Sequence, residues 1–471
     1  MGLYDRIASR GVQWSGRTFA GRDEVYSFDL AAATTHNLSA QPPFINIQQF
    51  YVEGFLVEQL YADNNRTIDL RCNNRLTAFE QNADFATLSI SRPAGDNKIE
   101  AAHVVDCSGA RSPIRAWCNA SVTAKKGDDR WCIADVRFKN SPPVERHTWI
   151  EAPFNEGRAV WQHLMADGVW RIDDQMRPDA DPQEVSREDV VRQRFNGQLG
   201  RIVSPSEYDI VWIGPYAYRS ECVDQLRHGR VFFVGDAAHV VSPFDARSGN
   251  SGVQDADNLA WKLAGVVQSR ASAMLLDSDH EERNAAATQN VLITHRTARF
   301  LRPADGMERI FRSAAISLAK RHVFARQLVN TGRMSTPKTN SKSSVCGPAG
   351  RRALQNVLLR WADGSAGGLV DLLKWAQGRL LLLVFGTLTV QMRSQVWQSM
   401  TQTDLRCVQV VHQPNLANAV EHVIDPAGHS SGCVDNAARV LVRPDSYVAA
   451  TGDRFDAALT QASLAETGAT T

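Results

Sequence analysis

The segment of residues 228–267 constrains the fold more than any other part of the chain. It contains an uninterrupted apolar run at 231–234, which is typical of a parallel strand covered on both faces. Gly235 and Asp236 follow this run directly, where open α/β sheets present the carboxyl ends of their strands to ligands. The pattern therefore predicts an α/β fold with Asp236 as a candidate ligand contact.

A glycine-containing loop and a helix follow this turn. Gly249 and Gly252 lie in the loop, Asn250 or Ser251 can cap the helix, and apolar residues then recur at helical spacing. A helix that begins at such a loop presents free backbone N–H groups and a partial positive charge, which suit an anionic or electron-rich ligand. On spacing alone, an ordinary strand, turn and helix in which Asp236 merely caps is an equal alternative.

The same segment resembles the second signature of the class A flavin-dependent aromatic hydroxylases, a family that includes para-hydroxybenzoate hydroxylase and 3-(3-hydroxyphenyl)propionate hydroxylase. The residues that match the signature are Gly235, Asp236, Ala237, Ala238, His239, Pro243, Gly249 and Asn250. The resemblance implies that Asp236 holds the ribityl hydroxyls of FAD and that Pro243 lies near the reactive flavin carbon. It also implies that the backbone from Gly249 through Asn250 and Ser251 to Gly252 faces the flavin ring.

Two further stretches resemble the family in the expected order. Residues 104–115, VVDCSGARSPIR, resemble the middle signature, where Gly109, Ser112 and Arg115 match positions that touch the FAD pyrophosphate and the pyridine nucleotide. The helix that opens INIQQFYVEGFL resembles the family element whose glutamine lies close to the flavin, a position matched by Gln49. Three ordered signatures are a far more specific match than a lone glycine motif.

The family's first signature, a GxGxxG turn, does not occur in this sequence. The resemblance begins at the family's interior, so we expect roughly 30 residues of a leading βαβ unit to be missing. A truncated gene, a misplaced start codon and a decayed paralogue all remain open. Since that unit carries the helix N-terminus that meets the FAD pyrophosphate, we expect weakened FAD binding.

These features predict an α/β protein whose first part is a truncated, Rossmann-like FAD-binding domain at 1–125 and 212–335. Between these two stretches, the alternating apolar residues of 126–211 are typical of an antiparallel sheet, inserted to bind the substrate. The polar stretch at 336–354, rich in Ser, Pro, Gly and Lys, is typical of a linker.

Residues 355–471 resemble the thioredoxin-like C-terminal domain of phenol-hydroxylase-type members of the family. A redox version has a CxxC where Gly386, Thr387 and Leu388 stand here, which excludes disulfide exchange. The resemblance therefore implies a packing role or a homodimer interface.

Within the predicted substrate sheet, His163, Arg171, Tyr216 and Tyr218 are candidates for lining an aromatic-substrate pocket. Arg171 would pair with a carboxylate, and a tyrosine would assist phenol deprotonation. Each of these side chains is more often structural on a half-buried strand.

The resemblance implies a FAD-dependent monooxygenase that hydroxylates a phenol-type aromatic substrate with NAD(P)H and O2, through a flavin hydroperoxide. The alternative is a truncated, non-catalytic paralogue that serves as an interaction or dimerisation module. A non-flavin α/β protein is a third possibility.

Composition excludes several partners. The 52 basic and 51 acidic residues leave a formal charge of +1, so nothing calls for nucleic acid or an anionic membrane. The eight cysteines are scattered, with no CxxC and no short-range pairing with histidine, which argues against zinc-ribbon and dithiol chemistry. The flavin chemistry that the resemblance implies needs no metal. The N-terminus has no apolar leader, so we expect a cytoplasmic protein.

Overall fold

The structure is a computed structural model. It describes residues 2–29, 44–62, 67–199, 207–242, 244–304, 306–329, 343–345, 353–354, 356–386, 389–391, 394, 405–412, 422–425, 430 and 437–452. Its α-helices are α1 (Tyr4–Arg10), α2 (Gln49–Ala62), α3 (Pro113–Trp117), α4 (Pro182–Val185), α5 (Glu188–Leu199), α6 (Ser248–Val267), α7 (Asp277–Leu301), α8 (Gly306–Ala319), α9 (Val323–Val329) and α10 (Leu369–Ala376).

The strands up to residue 240 are β1 (Ser15–Ala20), β2 (Asp23–Asp29), β3 (Arg75–Gln81), β4 (Ala86–Ser91), β5 (Asn97–Ala101), β6 (Val104–Asp106), β7 (Val122–Phe138), β8 (Glu145–Ala152), β9 (Arg158–Leu164), β10 (Val169–Gln175), β11 (Tyr208–Val223), β12 (Arg227–His228), β13 (Val231–Phe233) and β14 (His239–Val240). The later strands are β15 (Leu358–Trp361), β16 (Ala366–Gly368), β17 (Leu380–Phe385), β18 (Leu405–Val411), β19 (His422–Ile424), β20 (Arg439–Val442) and β21 (Val448–Gly452).

An eight-stranded sheet in the order β14-β11-β7-β10-β9-β8-β1-β2 forms the middle of the molecule. Side chains alternate between its faces, so Trp170 and Ile172 of β10 are buried in a core that also contains Phe195 of α5. The opposite face of β10 lines a cavity described below. This sheet contains the alternating segment predicted at 126–211, and it also takes in β1 and β2, which lie outside that range. β1 pairs with β8 in parallel, and the other pairs in the sheet are antiparallel.

The strand predicted at 231–234 is β13, which is completely buried. It pairs in parallel with β6, so the carboxyl ends of the two strands lie side by side. The helix predicted downstream is α6, which packs on this sheet through Leu259 and Leu263. These elements form the α/β part of the molecule, beside the antiparallel sheet β3-β4-β5.

The C-terminal part is a seven-stranded sheet in the order β16-β15-β19-β18-β17-β20-β21. Strands β17, β18 and β19 are parallel to one another, and β20 and β21 form antiparallel pairs beside them. Gly386 follows β17 with a φ of 87°, whereas Thr387 and Leu388 lie outside the described residues. The thioredoxin-like character of this part stays a prediction.

A buried cluster of charges joins the C-terminal sheet to α6 and α7. Glu282 of α7 accepts hydrogen bonds from Lys262 of α6 at 3.0 Å and from Arg443, which follows β20, at 2.5 and 2.8 Å. Asp445 accepts from Arg443 at 3.0 Å. Ser343, within the predicted linker, also donates to Glu282. Asp445 also accepts from Asn258 of α6 at 3.0 Å, so the C-terminal sheet is bonded to α7 and to α6, the helix whose first turn borders the candidate site.

Within the described residues, no helix is both long enough and apolar enough to cross a membrane.

Candidate active site

A tight turn at the carboxyl ends of β6 and β13 forms one side of the site. Gly235 adopts a φ of 62°, in the left-handed region where glycine is favoured. The Asp236 side chain is exposed on this turn, and the Ser248 hydroxyl donates to it at 3.1 Å. The turn therefore presents an oriented carboxylate beside the start of α6.

The first turn of α6 packs closely on this glycine turn. A Cβ placed on Gly252 would lie 3.3 Å from the Cα of Gly235, so the close approach depends on the glycine at position 252. The helix begins at Ser248, so the prediction of a loop at Gly249 to Gly252 with Asn250 or Ser251 as the cap was wrong, and the Asn250 amide donates back to the Ala246 carbonyl at 2.7 Å. Among the described residues no side chain caps the helix at Arg247, and both Gly249 and Asn250 are exposed. The helix therefore presents N–H groups of its first turn next to Asp236.

The carboxylate of Asp255 holds these two elements together. It accepts hydrogen bonds from the Gly235 backbone N–H at 3.0 Å, from His239 Nε2 at 2.7 Å and from Arg283 Nε at 2.6 Å. Burial by itself raises the pKa of Asp255, but the charges of His239 and Arg283 outweigh it and lower that pKa to about 2. Arg283 also donates to the buried Ser251 Oγ at 3.3 Å. Ser251 is thus engaged inside the protein.

The loop after β6 leads into α3, whose Arg115 reaches the same edge. Its guanidinium donates to the backbone carbonyls of Ala237 at 2.7 Å and Asp236 at 2.8 Å, and it pairs with Glu221 at 3.2 Å. Gly109 lies in the same loop with a φ of 87° and open space where a Cβ would stand. The structure thus shows Arg115 holding the Gly235 turn in place, while its contact with a cofactor stays a prediction.

A cavity of about 1100 Å³ extends from the loop before α6 to the eight-stranded sheet. Its floor is one face of that sheet, and its other walls are the segment 44–47, the loop before α6 and helices α7 to α9. The lining includes the aromatic side chains of Phe44, Trp161, Phe244, Phe300 and Phe311. It also includes Arg146, Arg171, Arg247, Arg296 and Arg299 against the acidic Asp173 and Glu308. An aromatic ring with an electron-rich or anionic edge fits this lining.

Two predicted substrate residues, His163 and Arg171, lie opposite each other on β9 and β10 and line this cavity. Burial, followed by the charges of Arg146 and Arg171, holds the pKa of His163 well below its usual value. The guanidinium of Arg171 makes two hydrogen bonds of 2.9 Å to Asp135. This ion pair neutralises part of the positive charge of Arg171 that was expected to bind a substrate carboxylate.

Asp173 is a cavity residue that no motif in the sequence singles out. It lies two residues after Arg171 on the same face of β10, and only 6% of its surface is exposed. Burial raises its pKa to about 7, opposed by the charges of Arg171 and Arg146. The alternation of residues in VWRIDDQ could have identified it, because every second side chain of a strand shares a face.

The other predicted residues lie elsewhere. Tyr216 of β11 is half exposed and is not among the residues that line the cavity. Gln49 is exposed at the start of α2, where its side chain donates to Glu53 at 2.6 Å. The buried neighbour Gln48 instead bonds to the Ala166 carbonyl at 2.8 Å. Pro243 and the side chain of Tyr218 lie outside the described residues.

Across the part of the chain that the structure describes, no cluster of three or more His, Cys, Asp or Glu side chains could hold a metal ion. The candidate site contains backbone N–H groups, the exposed carboxylate of Asp236 and a cavity lined by arginines and aromatic side chains.

Comparison with known proteins identifies a matching family and several similar proteins. The family model described as "FAD binding domain" matches residues 1–294. The chain is 28% identical over 271 residues to a 3-(3-hydroxy-phenyl)propionate/3-hydroxycinnamic acid hydroxylase of Mycolicibacterium gilvum, covering 57% of this chain and 46% of that protein. It is also 28% identical over 242 residues to a para-nitrophenol 4-monooxygenase of a Pseudomonas species, covering 50% of this chain and 57% of that one. The chain thus spans about half the length of these curated relatives.

A solved structure of the flavin-dependent monooxygenase PieE in complex with FAD and substrate has the same fold. Its TM-score is 0.79 at 18% identity, and the match covers 99% of this chain and 89% of that one.

Proposed function

Because the chain belongs to the FAD-binding domain family, we propose that it is a FAD-dependent monooxygenase that hydroxylates a phenol-type aromatic substrate with NAD(P)H and O2. The observation that carries this proposal is the cavity of about 1100 Å³, which reaches from the loop before α6 to the cationic, aromatic face of the eight-stranded sheet. Flavin chemistry needs such a space next to the cofactor for a substrate ring.

The residues at the Gly235 turn fit the ribityl and ring end of FAD. Asp236 offers an exposed carboxylate for hydroxyl groups, and the glycines at 235 and 252 leave the first turn of α6 close to it. The uncapped N–H groups at Gly249 and Asn250 suit the electron-rich edge of a flavin ring. These groups, with Gly109, are the ones that we propose hold the cofactor, and Pro243 remains a proposed neighbour of the flavin.

The cofactor would supply the electron transfer from NAD(P)H and the activation of dioxygen. The protein binds and orients the ring and keeps water away from it. The aromatic side chains lining the cavity bury the ring, and the arginines stabilise negative charge on its oxygen. Electron-rich phenols suit this cavity better than neutral hydrocarbons, because the described part of its lining carries five arginines against two acidic residues.

An absorption spectrum of the purified full-length chain with added FAD tests the cofactor. NAD(P)H oxidation in the presence of 3-(3-hydroxyphenyl)propionate or 4-nitrophenol, compared with benzene derivatives that lack a hydroxyl, tests the reaction. We expect oxidation to accelerate only with the phenols, together with formation of a dihydroxylated or quinone product. A chain that binds FAD and phenols but makes no product would favour the alternative of a non-catalytic module.

The six cysteines that the structure describes are all free thiols, which supports a reducing compartment. We therefore propose the cytoplasm as the location. A homodimer involving 355–471 also stays a proposal, and sedimentation of the full-length chain at increasing concentration tests it.

A further inference from the structure

Asp173 carries a buried carboxylate that lines the cavity and has no partner in the part of the chain that the structure describes. The residue is more than nine-tenths buried, at 6% exposure, and no hydrogen bond or ion pair to it occurs among the described residues. Burying an unpaired carboxylate is costly, and such groups in native structures call for an explanation. Its neighbour Asp174, in contrast, lies on the opposite face of β10, 3.8 Å from Arg194.

The groups around Asp173 on the sheet favour a proton exchange at this position. Trp161 and Ile133 lie directly opposite it on β9 and β7, so its immediate neighbours are apolar. The charged or titratable groups on the same sheet face are Arg171 on β10, Asp135 on β7, His163 on β9 and Arg146 on β8. Among the described residues, those that face it across the cavity are Arg247 before α6, His295, Arg296 and Arg299 on α7, and Glu308 on α8.

We propose that Asp173 is a catalytic residue whose carboxylate accepts a hydrogen bond from the ring hydroxyl of the substrate and takes up its proton. The substrate O–H bond breaks, its electron pair stays on the ring oxygen, and a new O–H bond forms on the carboxylate. The net charge in the cavity is unchanged, so the transfer requires no ion to enter or leave. The phenolate that results is the more electron-rich ring, and Arg146 and Arg171 lie where they stabilise its charge.

This inference rests on the proposed function, because it requires a phenol in the cavity. Its physical support is that burial raises the pKa of Asp173 to about 7, between that of an ordinary carboxyl and that of a phenol. The neighbouring acceptor His163 has a buried Nδ1 without a partner among the described residues, so it is the competing candidate.

The test measures ionisation of a bound phenol without turnover. The probe is 3-nitrophenol, which is largely un-ionised in neutral solution and becomes yellow when it ionises. Difference spectra of the full-length chain with FAD, at about pH 7.5 and just above the pKa of Asp173, give the ionised fraction. Calorimetry in two buffers of different ionisation enthalpy gives the number of protons released per bound ligand. The proteins are wild type, Asp173→Asn, Asp173→Glu, His163→Gln and the matched control Asp174→Asn.

In wild type and Asp174→Asn, we expect bound 3-nitrophenolate with little net release of protons to the buffer. In Asp173→Asn, the ligand is expected either to stay un-ionised or to ionise with release of about one proton, because the internal acceptor is gone. Asp173→Glu should restore ionisation without release.

Equal ionised fractions and equal proton counts in wild type and Asp173→Asn would overturn the assignment. So would a change confined to His163→Gln. Failure of 3-nitrophenol to bind wild type would instead overturn the proposed phenol substrate, and this assignment with it.

Discussion

Asp173 and Asp174 are consecutive residues of β10 whose carboxylates lie on opposite faces of the eight-stranded sheet. The first faces the cavity, and the second faces the core that contains Phe195 and lies near Arg194 of α5. Burial raises the pKa of Asp173 to about 7 and that of Asp174 to about 6. Both carboxyls therefore bind a proton more tightly in the folded chain than in the unfolded chain.

We expect Asp173→Asn to raise the free energy of unfolding at high pH. A carboxyl with a raised pKa stabilises the fold while protonated, and this contribution is lost as the pH rises from about 4 to about 7. The gain from the substitution should be small near pH 4 and reach at most about 4 kcal/mol above pH 7. Urea unfolding of the ligand-free chain across this range measures it.

Asp174→Asn is the control, because its stability difference should level off near pH 6 instead of pH 7. If the free energies of unfolding of wild type and Asp173→Asn changed with pH in the same way, the pKa of Asp173 would not be raised in the folded chain.

The close approach of Gly252 to Gly235 gives a second prediction. Both Gly249→Ala and Gly252→Ala gain helix propensity in α6. A Cβ added at position 249 would meet open space, whereas a Cβ added at position 252 would lie 3.3 Å from the Cα of Gly235. Asp255 holds that backbone in place through the Gly235 N–H, so it cannot easily move away.

We therefore expect Gly252→Ala to be less stable than Gly249→Ala by about 1–2 kcal/mol in the ligand-free chain. Thermal unfolding of the two variants measures this difference. Equal melting temperatures of Gly249→Ala and Gly252→Ala would mean that the Gly235 turn moves away from the added Cβ without a loss of stability.

The local part of this fold could be predicted from the sequence. The apolar run at 231–234 and the helical spacing after it depend on neighbours in the chain, and they became β13 and α6. Pairing between distant segments leaves no such local pattern. The strand β1 pairs with β8 in the middle sheet, where Ser15 lies opposite Glu145, and these two residues are far apart in sequence.

The site was predictable to a similar degree. A resemblance indicated Asp236 and residues 249–252, although it assigned the latter to a loop and the structure places them in α6. It could not show that the guanidinium of Arg115 is engaged by the carbonyls of Asp236 and Ala237. The alternation of side chains along β10 predicts that Arg171 and Asp173 lie on the same face of the sheet. Which face of the sheet borders the cavity depends on the packing of α7 and α8, which no strand pattern reveals.

The buried cluster between α7 and the C-terminal sheet gives a third prediction. Arg443 is completely buried and bonds to both Glu282 and Asp445. Arg443→Leu leaves these two carboxylates without that partner, and removing one member of a buried ion pair costs about 3 kcal/mol or more.

We expect the free energy of unfolding of Arg443→Leu to fall by that amount and the C-terminal part to become more sensitive to protease. Arg360→Leu, on an exposed position of β15, is the control and should change neither. Wild-type protease resistance in Arg443→Leu would show that the remaining contacts, which include apolar packing and a 3.0 Å hydrogen bond from Asn258 to Asp445, are enough to hold the C-terminal sheet in place.

The last prediction concerns Asp236, whose exposed carboxylate lies beside the uncapped start of α6. Asp236→Ala removes a charged acceptor for cofactor hydroxyls, and hydrogen bonds to a charged group contribute about 1.5–3 kcal/mol each. We expect the affinity for FAD to fall about 10- to 100-fold in a flavin-fluorescence titration, with little change in the unfolding of the ligand-free chain. Ser248→Ala should cause a smaller loss, because it removes only the hydroxyl that orients the carboxylate at 3.1 Å. If Asp236→Ala binds FAD as tightly as wild type, the carboxylate does not contact the cofactor, and the exposed N–H groups of α6 would then be the principal contact on this side of the site.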